Sequence, residues 1–338
     1  MSEKFIKSYL NILSCPKCSC ELKLKKEMLS CKNCGQTFSC EGDIPHMFYI
    51  NSDKNDPRDV TEIIKSFYEE TPFPNYDDFD DVAGLIQKSK QGVFAGLLDD
   101  KIPFGSIILE CGCGTGQLSN FLSIANREVI GTDMCLNSLK LANEFKLQNG
   151  LTRVHFAQMN LFSPIFKPKS FDWVISNGVL HHTSDPYEAY KSISKLVKPN
   201  GYILIGLYHK FGRIITDIRR TIFKMTHDRL RFLDKRLLAN KLSAAKKNAW
   251  FKDQYKNPHE SKHTINEVLR WFDETGFTFV KSIPKNRIGD SFSDDENLLD
   301  PDEIGNRLER LLKEIGMIFT NYRDGGFFII IGKKSYRD

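Results

Sequence analysis

The chain has 338 residues, of which 41% are hydrophobic, and a formal net charge of +5. That suffices for one large domain with its own core plus a small module, and the charge is too balanced to name a nucleic-acid partner by itself. No apolar run reaches the roughly 18 residues of a membrane span, and Met1 to Ser14 lacks the long apolar centre of a signal peptide. With nine cysteines and no secretion signal, a reducing cytoplasm is the expected setting, where cysteines serve metals more often than disulfides.

Residues 1–50 read as a zinc ribbon. Cys15-Pro-Lys-Cys18 and Cys31-Lys-Asn-Cys34 are two C-x-x-C knuckles with 12 residues between them. Each knuckle turns two thiolates toward one point, and two knuckles complete a tetrahedral site suited to Zn2+. A redox dithiol or chance pairing is the alternative. Glu21 to Lys25 and Met28 to Ser30 alternate as hairpin strands do. Residues 51–100 read as a linker, Asn51 to Asp59, followed by helices at Val60 to Glu70 and Leu85 to Leu98. Between the helices stands Phe67-Tyr68-Glu69-Glu70-Thr71-Pro72-Phe73-Pro74-Asn75-Tyr76. Its prolines stiffen it, either as a cover over a binding site or as a brace between domains.

Residues 101–338 carry the main fold, and Ile107 to Gly116, I-I-L-E-C-G-C-G-T-G, organises it. An apolar run fit for a buried parallel strand ends in Gly112, Gly114 and Gly116, and a helix follows from Gln117 to Ala125. Such a turn brings backbone N–H groups against a ligand. Glu110, at its start, would repel a pyrophosphate but suits S-adenosylmethionine (SAM), which carries a sulfonium and an ammonium and no phosphate. Val129 to Asp133 reads as a second strand ending in an acid that can accept from both ribose hydroxyls. An ordinary strand-helix-strand unit with a solvated Asp133 is the alternative.

His181 and His182 follow a strand at Phe171 to Asn177, where a parallel sheet places its ligands. A neutral imidazole there can take the acceptor's proton, or it can simply pack beneath the loop. A basic helical insertion spans about 209–260. Lys210 to Lys256 holds 14 Lys and Arg against 4 Asp, a balance of +10. It suits an anionic acceptor, RNA, a membrane surface, or a solvated cap over the domain. Trp250 to His259 supplies aromatics for an acceptor pocket. Thr264 and Glu267 form a capping box for a helix ending near Gly276, and Phe277 to Ile283 reads as a strand. An acidic insertion at about 285–326 is expected to hold a helix near Glu303 to Ile315, before a final strand from Phe327 to Ile331.

Over Ser106 to Tyr208 the chain resembles the class I SAM-dependent methyltransferases, in the branch that includes ubiquinone and menaquinone biosynthesis enzymes. Glu110 to Gly116 is similar to the first motif of that family, Phe156 to Asn160 to its adenine segment, and Phe171 to His182 to its fourth strand and loop. The resemblance implies an α/β Rossmann-like sheet of seven mostly parallel strands with helices on both faces. It also implies SAM bound by Glu110, Gly112, Gly114 and Gly116 at the methionine end, and by Asp133 at the ribose. Met134, Asn160 and Leu161 would hold the adenine, with Asn177 nearby. Asn160 stands where the family usually has an acid. The segment from Asn11 to Met47 resembles small zinc-ribbon proteins that activate methyltransferases as separate subunits. The expected acceptor is small or lipid-like, methylated on O or N. RNA methylation through the ribbon and basic helices competes with it, and a SAM-binding docking scaffold without catalysis is the reading of another class.

Overall fold

A computed structural model describes residues 3–25, 28–50, 59–73, 81–238, 243–293, 295–320 and 326–336. At the N-terminus, α1 (Glu3–Tyr9) precedes β1 (Leu22–Lys25), β2 (Met28–Cys31), β3 (Thr37–Phe38), β4 (Cys40–Glu41) and β5 (Ile44–Pro45). β1 and β2 form the expected hairpin, with Leu22 opposite Cys31, and β3 extends it. Three helices follow: α2 (Thr61–Glu70), α3 (Val82–Gln91) and α4 (Val93–Lys101). The single helix expected over Leu85 to Leu98 is two, because Gly92 leaves the helical region at φ −85°, ψ 94°. Most of the expected linker, 51–58, lies outside the described residues, as do Pro74 to Tyr76.

The central sheet comprises β6 (Ile107–Cys111), β7 (Glu128–Asp133), β8 (Val154–Gln158), β9 (Phe171–Asn177), β10 (Val197–Tyr208), β11 (Phe277–Ile283) and β12 (Phe327–Lys334). Its order is β11-β12-β10-β9-β6-β7-β8. β12 is antiparallel to both neighbours, while the pairs from β10 to β8 are parallel. This is the Rossmann-like α/β fold expected from the glycine turn. The order reverses between β9 and β6, the place where such sheets bind ligands.

The remaining helices are α5 (Gln117–Ile124), α6 (Leu136–Gln148), α7 (Pro186–Ser194), α8 (Ile214–Met225), α9 (Lys235–Leu238), α10 (Ala244–Phe251), α11 (Ile265–Glu274) and α12 (Arg307–Thr320). Strand side chains alternate between two cores. Ile108, Val129 and Trp173 pack with Phe121 of α5 and Leu139 of α6. Leu109, Ile130 and Val174 pack on the other face with Tyr190 of α7 and Trp271 of α11. The second core also takes Leu13, Leu29, Phe38 and Met47, so the N-terminal hairpins are built onto the sheet. They cover its β8 edge: His46 bridges Gln158, and the Ser14 and Lys167 amides bond across to Ile165 and Ile12. A covered edge cannot pair with other chains.

α12 starts at Arg307 and runs to Thr320, later than the expected Glu303 to Ile315. Asn306 is the reason: its side-chain oxygen accepts from the Leu308 and Glu309 amides, and the Glu309 carboxylate accepts from the Asn306 amide. That is a capping box. The box expected at Thr264 and Glu267 also forms.

Candidate functional site

β6 and β7 end side by side, with Glu110 opposite Gly131 and Cys111 opposite Thr132. The turn after β6 is tied to the end of β7. The Gly112 and Cys113 amides both donate to the Thr132 carbonyl, at 2.7 and 2.9 Å. Gly114 N–H donates to Asp133 Oδ2 at 2.9 Å and Cys135 N–H to Oδ1 at 2.8 Å. Asp133 therefore both shapes the turn and starts α6. Gly112 sits at φ +74°, and a Cβ on it would collide with Val179. Gly116 serves packing: a Cβ there would strike Ala142 and Phe156, and it does not line the cavity described next.

A cavity of about 840 Å³ opens at these strand ends. On one side it meets Glu110, Gly112, Gly114, Asp133 and Met134, with Asn160 and Leu161 beyond. Glu110 is 7% exposed and accepts from the Ser119 hydroxyl. Burial, with Asp133 nearby, pushes its carboxyl up to about 7. Burial raises Asp133 as well. Among the described residues no cation pairs with either carboxyl, so the turn presents two buried acids without a countercharge. Asn160 is more committed than its sequence suggests. Its Nδ2 donates to the Tyr49 carbonyl at 2.9 Å and its Oδ1 accepts from the Phe162 amide at 3.1 Å, tying the N-terminal hairpins to the cavity wall. Asn177 reaches the cavity with an Oδ1 that has no partner among the described residues. Gly206 beside it leaves the room, since a Cβ there would collide with that oxygen.

The other side of the cavity is assembled from distant segments. α2 crosses the mouth, held where the Glu69 carboxylate accepts from the Leu136 and Asn137 amides at 2.8 and 3.1 Å. Those are unpaired donors at the start of α6, where an acid is favoured. Tyr68, on the same helix, donates to Asp253 Oδ1 at 2.9 Å. Asp253 also accepts from Gln254 Nε2 at 2.9 Å, which in turn reaches the Tyr208 hydroxyl at 2.6 Å. Beneath them Arg213, fully buried, bonds Glu260 and Gln254 and lies 3.8 Å from the Tyr208 ring centroid. Arg220 shares Glu260 at 2.7 Å. Two of the basic residues in the insertion are therefore spent on its own fold.

The two histidines part company. His182 lines the cavity. Its Nδ1 lies 2.8 Å from the His259 carbonyl, which can only accept, so Nδ1 carries the hydrogen. Burial holds the ring below its ordinary pKa. Nε2 is then a lone pair, and no described residue bonds it. His181 does not line the cavity. Its ring packs 4.0 Å from that of Tyr208 and neither nitrogen has a partner among the described residues. Successive residues of a 3₁₀ turn point a third of a turn apart, so only one of the pair can face the ligand.

Residues 109–205 match the family described as the methyltransferase domain. That match takes in β6 to β10 and the glycine turn. The domain is similar to an uncharacterized protein of Synechococcus sp., 28% identical over 204 residues, 53% of this chain and 49% of that one. It is similar also to ubiquinone biosynthesis O-methyltransferase of Haemophilus ducreyi, 31% identical over 112 residues, 32% of this chain and 47% of that one. The chain thus spans about half the length of these curated relatives. Among solved structures it is similar to magnesium protoporphyrin IX methyltransferase of Synechocystis PCC 6803 with bound SAH, at 14% identity and a TM-score of 0.45, covering 81% of this chain and 99% of that one.

Gly112, Gly114, Asp133 and Trp250, all singled out from the sequence, line the cavity; Phe94 and Phe292 line it too and were not, nor was Ser119 beside Glu110. Nothing in their local pattern marks them. Far from the cavity, the Cys15, Cys18, Cys31 and Cys34 sulfurs all lie within 4.8 Å of one another. The pairs Cys15–Cys34 and Cys18–Cys31 stand 3.6 and 3.4 Å apart. That is close to the roughly 3.8 Å of a tetrahedral thiolate site and far from a disulfide bond. No helix among the described residues is long and apolar enough to cross a membrane.

Proposed function

We propose that the chain is a SAM-dependent methyltransferase acting on a small or lipid-like acceptor at oxygen or nitrogen, in a reducing cytoplasm. The observation that carries the SAM reading is the pair of buried carboxyls, Glu110 and Asp133, without a cation at a glycine turn. A pyrophosphate would be repelled there. An ammonium and a sulfonium supply the missing charge, and the unpartnered oxygen of Asn177 offers the ammonium a further acceptor. Asp133 has lone pairs left for ribose hydroxyls. Met134, Leu161 and the remaining lone pair of Asn160 would meet the adenine.

When bound, SAM supplies an electrophilic methyl group, so the protein's task is mainly placement of the acceptor. His182 is set to take its proton: Nδ1 is anchored and Nε2 is free. His181 would act only through packing. Tyr68, Asp253 and Gln254 orient polar groups of the acceptor beside apolar walls such as Phe292 and Phe327. The four N-terminal thiolates would hold Zn2+, which serves as a cross-link for a hairpin module too small to fold on its own core.

The folding of the basic insertion over the cavity supports a small acceptor rather than RNA, because Arg236, Trp250, Asp253 and Gln254 face inward. The test is SAH release with small hydroxylated or aminated apolar acceptors against structured RNA, across a salt series. RNA binding whose log–log salt slope is steep, near −0.7 per phosphate contact, and which vanishes when Arg219, Lys246 and Lys247 are reversed, would replace the small-acceptor reading.

A further inference from the structure

α12 is inverted. A helix on a globular domain normally turns its apolar stripe inward. Here Leu308, Leu311, Leu312, Ile315 and Phe319 all face outward, with Leu308 64% and Phe319 76% exposed. The polar side chains Arg310 and Glu314 are buried instead, and Met317 is the one side chain of the helix that joins the core. Arg310 donates to Asn266 Oδ1 at 2.8 Å, and Glu314 accepts from the Ile265 amide at 2.6 Å and lies 3.3 Å from His209 Nε2. These bonds fix the rotation of the helix, so the stripe is not a helix caught in the wrong register. Ile288 and Ile304 extend the exposed apolar surface beside it. No described residue covers it.

We infer that α12 is the contact face of a two-fold dimer, packed antiparallel on the α12 of a second copy. The stripe is self-complementary about its middle. In an antiparallel pair centred between Lys313 and Glu314, Leu308 meets Phe319 of the other copy and Leu312 meets Ile315. Leu311 meets Gly316, where a side chain is missing and nothing lies within 4 Å of the space a Cβ would take. Each copy therefore offers a knob where the other offers a hole, and each contact occurs twice, as an isologous interface requires. The exposed stripe with its two flanking isoleucines amounts to roughly 600 Å² per copy, about 1,200 Å² for the pair, which reaches the lower bound of specific interfaces and stands at the top of the range that single chains ordinarily leave bare. Its rim is of mixed sign and selects no anionic lipid surface. Asp290 and Glu303 stand exposed beside the helix with Arg307, Arg287 pairs with Glu303, and the Lys313 ammonium is bonded to the Asp290 carbonyl at 3.0 Å.

The test is sedimentation velocity of the full chain from about 1 to 100 μM, with SAM binding as the check on folding. The wild type should show a concentration-dependent dimer. Leu312→Glu and Ile315→Glu place charges on side chains already exposed in the single chain. Each should raise the dimer dissociation constant by about a hundredfold or more, with SAM affinity unchanged. Gly316→Leu, whose Cβ has nothing of its own chain within 4 Å and whose side chain fills the hole, should raise it about tenfold. A wild type that stays monomeric at 100 μM overturns the inference. So does a dimer indifferent to all three substitutions, or cosedimentation with neutral phosphatidylcholine vesicles that the same substitutions abolish. None of these outcomes bears on whether the cavity binds SAM.

Discussion

The two ends of the cavity are made in different ways. The donor end is local: Glu110, Gly112 and Gly114 are chain neighbours, and Asp133 closes the turn from the adjacent strand. The acceptor end joins Tyr68 of α2 to Asp253 of the insertion, 185 residues away, with His182 oriented by His259. A local site is fixed by the geometry of a strand end and a helix start. A site assembled from distant pieces depends on every piece docking correctly, and can change its ligand without touching the sheet. Substitutions at one end should therefore leave the other intact.

The sharpest break between the ends is His182→Ala. Turnover should fall by about 10²- to 10⁴-fold, the usual worth of a general base, while SAM affinity by calorimetry stays within about twofold. Loss of SAM binding in that variant would mean the two ends are one site.

A smaller effect is expected of Tyr68→Phe, which removes the hydroxyl donated to Asp253. The KM for the acceptor should rise about tenfold, in line with a hydrogen bond to a charged group, with SAM affinity again unmoved. A tenfold loss of SAM affinity instead would make α2 part of the donor end.

The smallest effect is a pH dependence confined to the donor end. Glu110, raised by burial from its ordinary 4.5 to about 7, holds a proton in the folded chain that it has lost in the unfolded one. Its contribution to stability is present below pH 4.5 and is lost as pH rises through about 7. The melting temperature of the SAM-free chain should decline over that window, and Glu110→Gln should flatten the decline. A cationic ligand favours the ionised carboxylate, so SAM should bind more weakly below pH 7 and release about half a proton on binding at pH 7. Calorimetry in two buffers of different ionisation enthalpy measures this; no proton release would show that Glu110 does not meet the cation.

What could be read beforehand follows the same division. The parallel sheet, the turn and Asp133 were legible because strand, glycine and acid lie within one short stretch with a strict geometry. The four cysteines were legible from their spacing. The break at Gly92 was not, since a lone glycine within an apolar pattern is compatible with one helix or two. The start of α12 carried a readable signal in Asn306 and Glu309. Its inverted face did not, because periodicity reveals a stripe but not which way it points. The choice of His182 over His181 needed the His259 carbonyl, which comes from the far end of the insertion.

The central claim is that the glycine turn and Asp133 bind SAM. Calorimetric titration of SAM into wild type and Asp133→Ala tests it most directly. The account predicts saturable binding to the wild type and a loss of more than about tenfold in the variant, matching a charged hydrogen bond of roughly 1.5–3 kcal/mol. Equal affinity in the two proteins, or no binding to the wild type, would contradict it.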